Sequence, residues 1–259
     1  MLIMFNDKLI ELPGHGRLIV VTDLHGNFDD YNHYLNLWDE SDEDFHIIFT
    51  GDMIHGLDVK KDQSVEILDD AIAKSKEFSN FHTLLGNHEW AQITSTEIYK
   101  NNQPLLLGFK NVISYKKGFI EPHLTRYIRF FKSMPYFAKT ENGLFISHSG
   151  PSTKVKSVDG FNTIFASDYS SPILYDFLWN RYNNVTDYIQ SDVDRFLEIM
   201  DLKAMIVGHC PVESYKVFSK QIIMSSSFNT KVKTYLDMDL SMEITCIEDV
   251  QKQLKFIIG

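Results

Sequence analysis

Five short apolar runs, each leading into side chains able to hold a metal ion, constrain this chain more than any other feature. Leu18-Ile19-Val20-Val21 leads into Thr22-Asp23-Leu24-His25-Gly26-Asn27, and Ile47-Ile48-Phe49 into Thr50-Gly51-Asp52. Phe81 to Leu85 leads into Gly86-Asn87-His88-Glu89, and Leu144-Phe145-Ile146 into Ser147-His148-Ser149-Gly150. Met205-Ile206-Val207 leads into Gly208-His209-Cys210-Pro211. Each run suits a buried strand. If the strands lie side by side, the polar residues converge at their carboxyl ends, where open α/β sheets bind ligands. Taken singly they are ordinary: Gly-Asp is a common turn, and a lone histidine after a strand is usually satisfied by hydrogen bonds. Five in succession point to one shared site.

Helical periodicity fills the gaps between the runs. Phe28, Tyr31, Leu35 and Trp38 share one helical face, as do Val65, Leu68 and Ile72 within a segment from about Ser64 to Phe78. Ile189, Val193, Leu197 and Met200 repeat the pattern, and alternating strands and helices indicate an α/β domain with a largely buried sheet. The tail alternates more like antiparallel strands over Gln221–Met224, Thr234–Leu240 and Glu243–Ile247, which implies a mixed or second sheet. Residues 101–132, with Pro104, Gly108, Gly118 and Pro122, read as a surface excursion of loops and short helices and a candidate cap. With 44% apolar residues, a chain of 259 fills one large core, and it is read as a single domain over 1–259.

Composition excludes several roles. The net charge is −10 and no run of Lys or Arg interleaves with aromatics, which argues against a nucleic-acid partner. Acidity does not exclude an anionic substrate, because bound divalent cations reverse the local sign. Cys210 and Cys246 form no CxxC motif, as expected of a reduced intracellular protein. The stretch Met1 to Asp7 lacks the basic and apolar regions of a signal peptide, and no window nears the ~18 apolar residues of a membrane span. The expectation is a soluble, cytoplasmic protein with no membrane partner.

Asp23-x-His25-Gly26, Gly51-Asp52, Gly86-Asn87-His88-Glu89 and the later His148 and His209 together resemble the calcineurin-like metallophosphoesterase pattern. Phe130 to Pro135 ahead of His148, and Leu178-Trp179-Asn180, resemble the branch of Ser/Thr protein phosphatases and dinucleoside tetraphosphate hydrolases. The likeness covers about residues 17 to 240. It implies a sandwich of two mixed β-sheets flanked by helices, and a phosphomonoesterase that attacks phosphorus with a metal-activated hydroxide. One metal would be held by Asp23, His25 and Asp52, the other by Asp52, Asn87, His148 and His209, with Asp52 bridging. These donors, without thiolate, suit Mn²⁺, iron or Zn²⁺ without selecting among them, and two divalent ions, Mn²⁺ foremost, are the cofactors expected. His88 matches the general acid, with Asp52 and His88 as the catalytic pair, and Glu89 supports from behind. The substrate expected is a phosphorylated protein, with dinucleoside polyphosphates or other small phosphoesters as the alternative. A phospho-binding module without activity is the contrasting class.

The second motif departs from the family. His55 stands where the carboxylate partner of the catalytic histidine is expected, and Gly56 where a phosphate-binding Arg is expected. Two imidazoles can share a proton only by alternating donor and acceptor roles. His55 is read either as a phosphate donor or as a structural residue. Arg181, His55 and Asn87 are the phosphate-binding candidates, while Lys60 and Lys61 read as solvated residues near a helix start. Thr22 and Ser149 also replace glycines of the usual motifs.

Overall fold

A computed structural model describes residues 7–184, 186–228 and 230–258, so Met1 to Asn6, where a signal peptide is argued against, lie outside the described residues. In chain order the elements are β1 (Leu9–Leu12), β2 (Arg17–Val21), α1 (Phe28–Leu35), β3 (Phe45–Phe49), α2 (Ser64–Glu77), β4 (Phe81–Thr83) and α3 (Asn87–Thr94). The hairpin β5 (Tyr99–Lys100) and β6 (Gln103–Pro104) precedes α4 (Leu105–Lys117) and α5 (Glu121–Ser133). There follow β7 (Phe137–Thr140), β8 (Leu144–Ser147), α6 (Val158–Ala166), α7 (Pro172–Trp179), α8 (Gln190–Met200) and β9 (Ala204–Val207). The chain closes with β10 (Tyr215–Phe218), β11 (Gln221–Met224), β12 (Val232–Asp239), α9 (Ile247–Gln251) and β13 (Leu254–Ile258).

The strands form two mixed sheets, ordered β1-β7-β8-β9-β11-β10 and β13-β12-β2-β3-β4. Each apolar run feeds two cores at once. In β2, Leu18 and Val20 face the cluster shared with Ile48, Ile146, Ile206 and Leu236 between the sheets, while Ile19 and Val21 join the cluster under the helices. Burial on both faces explains why these strands read as continuous apolar runs rather than alternating ones. The five runs do not lie in one sheet, as side-by-side strands would require. The runs ending at Val21, Phe49 and Leu85 belong to one sheet, and those ending at Ile146 and Val207 to the other.

Two further expectations are corrected. Residues 101–132 form two thirteen-residue helices rather than loops with short helices. Their punctuation residues sit at element ends: Pro104 is the N-cap of α4, Gly118 (φ +81°) its C-cap, and Pro122 lies in the first turn of α5. Phe109, Val112, Ile113, Leu124, Tyr127 and Phe131 bury a face of the pair. Glu243–Ile247 is not a strand; it leads into α9, and the chain returns as β13 against β12. Among the described residues no helix is long and apolar enough to cross a membrane, and Cys210 and Cys246 are free thiols.

Candidate functional site

The loops that leave β2, β3, β4, β8 and β9 meet at one place because they hydrogen-bond to one another. Leu24 and His25 N–H donate to the Asp52 carbonyl (3.0 and 2.8 Å), and Gly208 N–H donates to the His148 carbonyl (3.0 Å). Glycine permits the closest approaches. A Cβ on Gly208 would overlap the Asp23 carboxylate, and one on Gly86 would overlap Asp52 and Glu89. Glu89, fully buried, accepts from Asp52 N–H and Met53 N–H at 2.9 Å each and fixes the loop that carries Asp52. The two departures from glycine tie this loop set to its surroundings. Thr22 hydroxyl donates to the Met224 carbonyl at 2.9 Å, and Ser149 hydroxyl donates to the Asn180 carbonyl beyond α7.

Asp52 stands at the centre. Its carboxylate accepts from His88 N–H at 3.1 Å and lies 3.7 Å from His25 Nε2, 3.7 Å from His88 Nε2 and 3.6 Å from His148 Nε2. The tautomers follow from the outer contacts. His25 Nδ1–H donates to the Ile54 carbonyl (3.1 Å) and His148 Nδ1–H to the Thr50 carbonyl (3.0 Å), so both Nε2 atoms turn lone pairs inward. The Asn87 amide oxygen sits 2.8 Å from His148 Nε2 and 3.1 Å from His209 Nδ1. With the Asn87 amide oxygen turned inward, it joins the Asp52 carboxylate and the Nε2 lone pairs of His25 and His148 in a cluster of acceptors that a cation would satisfy. The opposite amide orientation would donate to both histidines and to Asp52, so Asn87 is the adaptable member of the set.

Two groups of closely spaced ligand atoms share Asp52: His25, Asp52 and His88, and Asp52, His148 and His209. The second is the group expected, with Asn87 beside it. The first contains His88 where Asp23 was expected; the Asp23 carboxylate accepts from His209 N–H at 2.9 and 3.1 Å. Burial raises Asp23, Asp52 and Glu89 to about 7 and presses His25, His88 and His209 well below the ordinary imidazole range. Bound divalent cations would reverse both trends, favouring carboxylate anions and neutral imidazole ligands.

Behind His88 lies a relay. Gln92 Nε2, a donor, lies 2.9 Å from His55 Nε2, so the His55 proton is on Nδ1, which is 2.7 Å from His88 Nδ1. His88 accepts there and holds its own proton on Nε2, facing Asp52. His55 is only 2% exposed, packs against Phe109, and has both nitrogens engaged. Of its two readings, phosphate donor and structural residue, this geometry places His55 against His88 and Gln92. Lys60 and Lys61 are exposed in the turn before α2, away from the cavity wall.

A cavity of about 190 Å³ opens on this cluster, lined by Asp23, His25, Asp52, Asn87, His88 and His209, with His148 fully buried behind them. Arg181 lines the same wall. Lys100 and Phe228 also line it, and sequence reasoning missed both. Lys100 precedes the hairpin turn at Asn101 and carries no motif signal.

Residues 16–213 match a family model described as Calcineurin-like phosphoesterase. A protein serine/threonine phosphatase of Saccharomyces cerevisiae, described as similar to human phosphatase PP5, superposes with a TM-score of 0.73 at 17% identity, covering 96% of this chain and 82% of that one. A cold-active protein-tyrosine phosphatase of Shewanella gives 0.63 at 16%, covering 91% and 80%. A protein provisionally assigned as a diadenosine tetraphosphatase gives 0.54 at 13%, covering 97% and 98%. At these identities the likeness is one of fold. No curated protein sequence matches the chain.

Proposed function

Because this chain belongs to the calcineurin-like phosphoesterase family, whose members are metal-dependent hydrolases, we propose that it hydrolyses phosphomonoesters on phosphorylated proteins, with two divalent cations, Mn²⁺ foremost, as cofactors. The observation that carries this reading is the pair of closely spaced His and Asp ligand groups that share Asp52. Asp23, His25 and Asp52 would hold one cation, and Asp52, Asn87, His148 and His209 the other. Asp23 stays in the set on its place in the cavity wall beside His25.

Bound there, the cations supply positive charge and activate water for in-line attack at phosphorus. The chain's own residues do the rest. Asp52 sits between the two ligand groups and fixes their separation. Arg181 offers a planar fork to two phosphoryl oxygens. His88 holds a proton on Nε2, where a leaving oxygen can accept a hydrogen bond, and His55 with Gln92 keeps that tautomer in place.

Cavity size favours a protein substrate. About 190 Å³ is below the ~300–1,000 Å³ of sites that enclose whole small molecules, so the phosphoryl group enters and the remainder of the substrate stays outside. The Ser/Thr and tyrosine phosphatases of like fold agree with that preference. The second reading, a dinucleoside polyphosphate hydrolase, draws on a neighbour that matches nearly the full length of both chains. The whole chain is read as one domain, with the helical pair of 101–132 bordering the cavity through Leu105.

The test is turnover by Mn²⁺-loaded protein of an activated aryl phosphate, then of phosphoserine, phosphothreonine and phosphotyrosine peptides against diadenosine tetraphosphate. Peptide turnover is expected to exceed nucleotide turnover, and Asp52→Asn is expected to reduce it to background. Turnover of the nucleotide alone selects the second reading. Phosphopeptide binding without hydrolysis of any ester marks a binding module and sinks the enzyme reading.

A further inference from the structure

We infer that Lys100, carried on the β5–β6 hairpin and braced by the Phe228 ring, grips the substrate phosphoryl group, supplying the charge that Gly56 cannot. The inference rests on the proposed phosphomonoesterase reading and names a specificity residue and a charge class for the same site.

The hairpin places Lys100 by local chemistry. Tyr99 pairs with Pro104 and Lys100 with Gln103, and the two residues between them, Asn101 and Asn102, hold φ of +50° and +61°. Asparagine tolerates that left-handed backbone, and two such residues make the tight turn whose twist suits a hairpin. Because the turn follows Lys100 directly, the lysine is held at the tip of the flap, and Tyr99, Lys100 and Leu105 all reach the cavity wall.

The ammonium is braced rather than neutralised. Its Nζ lies 3.6 Å from the centroid of the Phe228 ring, whose face attracts a cation without cancelling its charge. Phe228 is itself fixed, since its N–H donates to the Asp23 carbonyl (3.2 Å) and its ring packs on His25. Among the described residues no ion pair joins Lys100 to a carboxylate, whereas Lys74, Lys116, Lys117, Lys139 and Lys154 each have an acidic partner. Lys100 instead acts across the cavity, attracted by Asp52 and Asp23 and repelled by Arg181. Two cations of a chain with net charge −10 therefore face one small cavity, and among the described residues neither is engaged in a side-chain ion pair. That combination fits an anion, and the amount of charge fits a dianion better than a monoanion.

A lysine recognises charge more than geometry, since an ammonium is a point charge and a guanidinium a planar fork. Lys100 should accordingly favour phosphomonoester dianions over phosphodiester monoanions, whichever group the ester carries.

The experiment compares Lys100→Met, Lys100→Arg and Phe228→Leu with the parent, all Mn²⁺-loaded, on p-nitrophenyl phosphate and bis(p-nitrophenyl) phosphate. Protection against thermal unfolding by inorganic phosphate is measured in parallel. Lys100→Met is expected to raise the monoester KM by about ten-fold or more, the loss of one hydrogen bond to a charged group, with a smaller change in kcat. The diester KM should move less, phosphate should protect less, and Lys100→Arg should restore most of both. Phe228→Leu, which keeps the charge and removes its brace, should fall between. Equal effects on monoester and diester, or unchanged KM and phosphate protection in Lys100→Met, would overturn the inference. A parent that hydrolyses neither ester refutes the phosphomonoesterase reading, and phosphate protection lost on Lys100→Met still reports on Lys100 by itself. If Lys100→Met does not fold, an unchanged monoester KM in Phe228→Leu overturns the inference.

Discussion

Asp23, His25, Asp52, His55 and His209 all hold positive φ, between 36° and 72°. For residues other than glycine this backbone costs roughly 1–2 kcal/mol each, and it persists only where surroundings over-determine it. Here they do: Glu89 holds the Asp52 loop, and Asp23 takes the His209 N–H. The strain aims side chains at one point, and nothing in the residue types announces it. His55 shows the same limit. Its position in the motif marks it as unusual, but only the contacts with His88 and Gln92 say what it does. A neutral imidazole there lends His88 less charge stabilisation than a carboxylate would. His55→Asp is therefore expected to raise kcat for esters with poor leaving groups relative to good ones, flattening the dependence of rate on leaving-group pKa. A series of substituted phenyl phosphates measures that slope, and a steeper one contradicts the role given to His55.

At the scale of elements, periodicity located the strands that carry the motifs, two strands of the tail (Gln221–Met224 and Thr234–Leu240), and the helices α1, α2 and α8. The runs at Leu18, Ile47, Phe81, Leu144 and Met205 are strands, and Ser64–Glu77 is the helix expected. In the segment 101–132 glycine and proline read as breakers by residue type, whereas three of the four cap or open helices. Gly108 and Gly118 separate the two meanings of glycine. Gly108 lies inside α4 with open space where a Cβ would go, so Gly108→Ala should stabilise the protein by about 0.5–1 kcal/mol through helix propensity. Gly118 ends the same helix at φ +81°, so Gly118→Ala should destabilise it by about 1–2 kcal/mol. Urea unfolding of both variants checks the opposite signs.

For the whole molecule, stability toward acid depends on histidines that fold neutral. Away from the candidate site, His82 on β4 lies against His46 on β3, with ring nitrogens 3.3 Å apart. Burial first, then the His46 charge, holds His82 down to about 3, and burial lowers His46 as well. Asp42 and Asp44 pull His46 back upward, and Arg126 and Arg129 share the groove on which His82 opens. Unfolded, each imidazole takes up a proton near pH 6.5, whereas folded His82 resists until about pH 3. The unfolded chain thus binds more protons across that window, so the pair's contribution is complete above about pH 6.5 and is lost as pH falls toward 3. His82→Phe should make unfolding free energy fall less steeply between pH 6.5 and 4, as urea titrations at stepped pH would report.

The sequence by itself determined the five motif-bearing strands, the residues at their ends and hence the family, because burial on both faces leaves continuous apolar runs and a metal site needs particular donor atoms. Tertiary structure alone decided that the runs belong to two sheets. Which runs pair depends on contacts far apart in the chain, which local pattern does not encode. It also decided that His55 backs His88, and that Lys100 reaches the cavity from a hairpin outside every motif. The five strand-end motifs on which the chain first reads as a site supply the His and Asp groups that could hold metal ions. Cavity-facing cations are set by packing: a lysine is an ordinary surface residue in sequence, and only the Phe228 ring and the walls of the cleft make Lys100 part of the site.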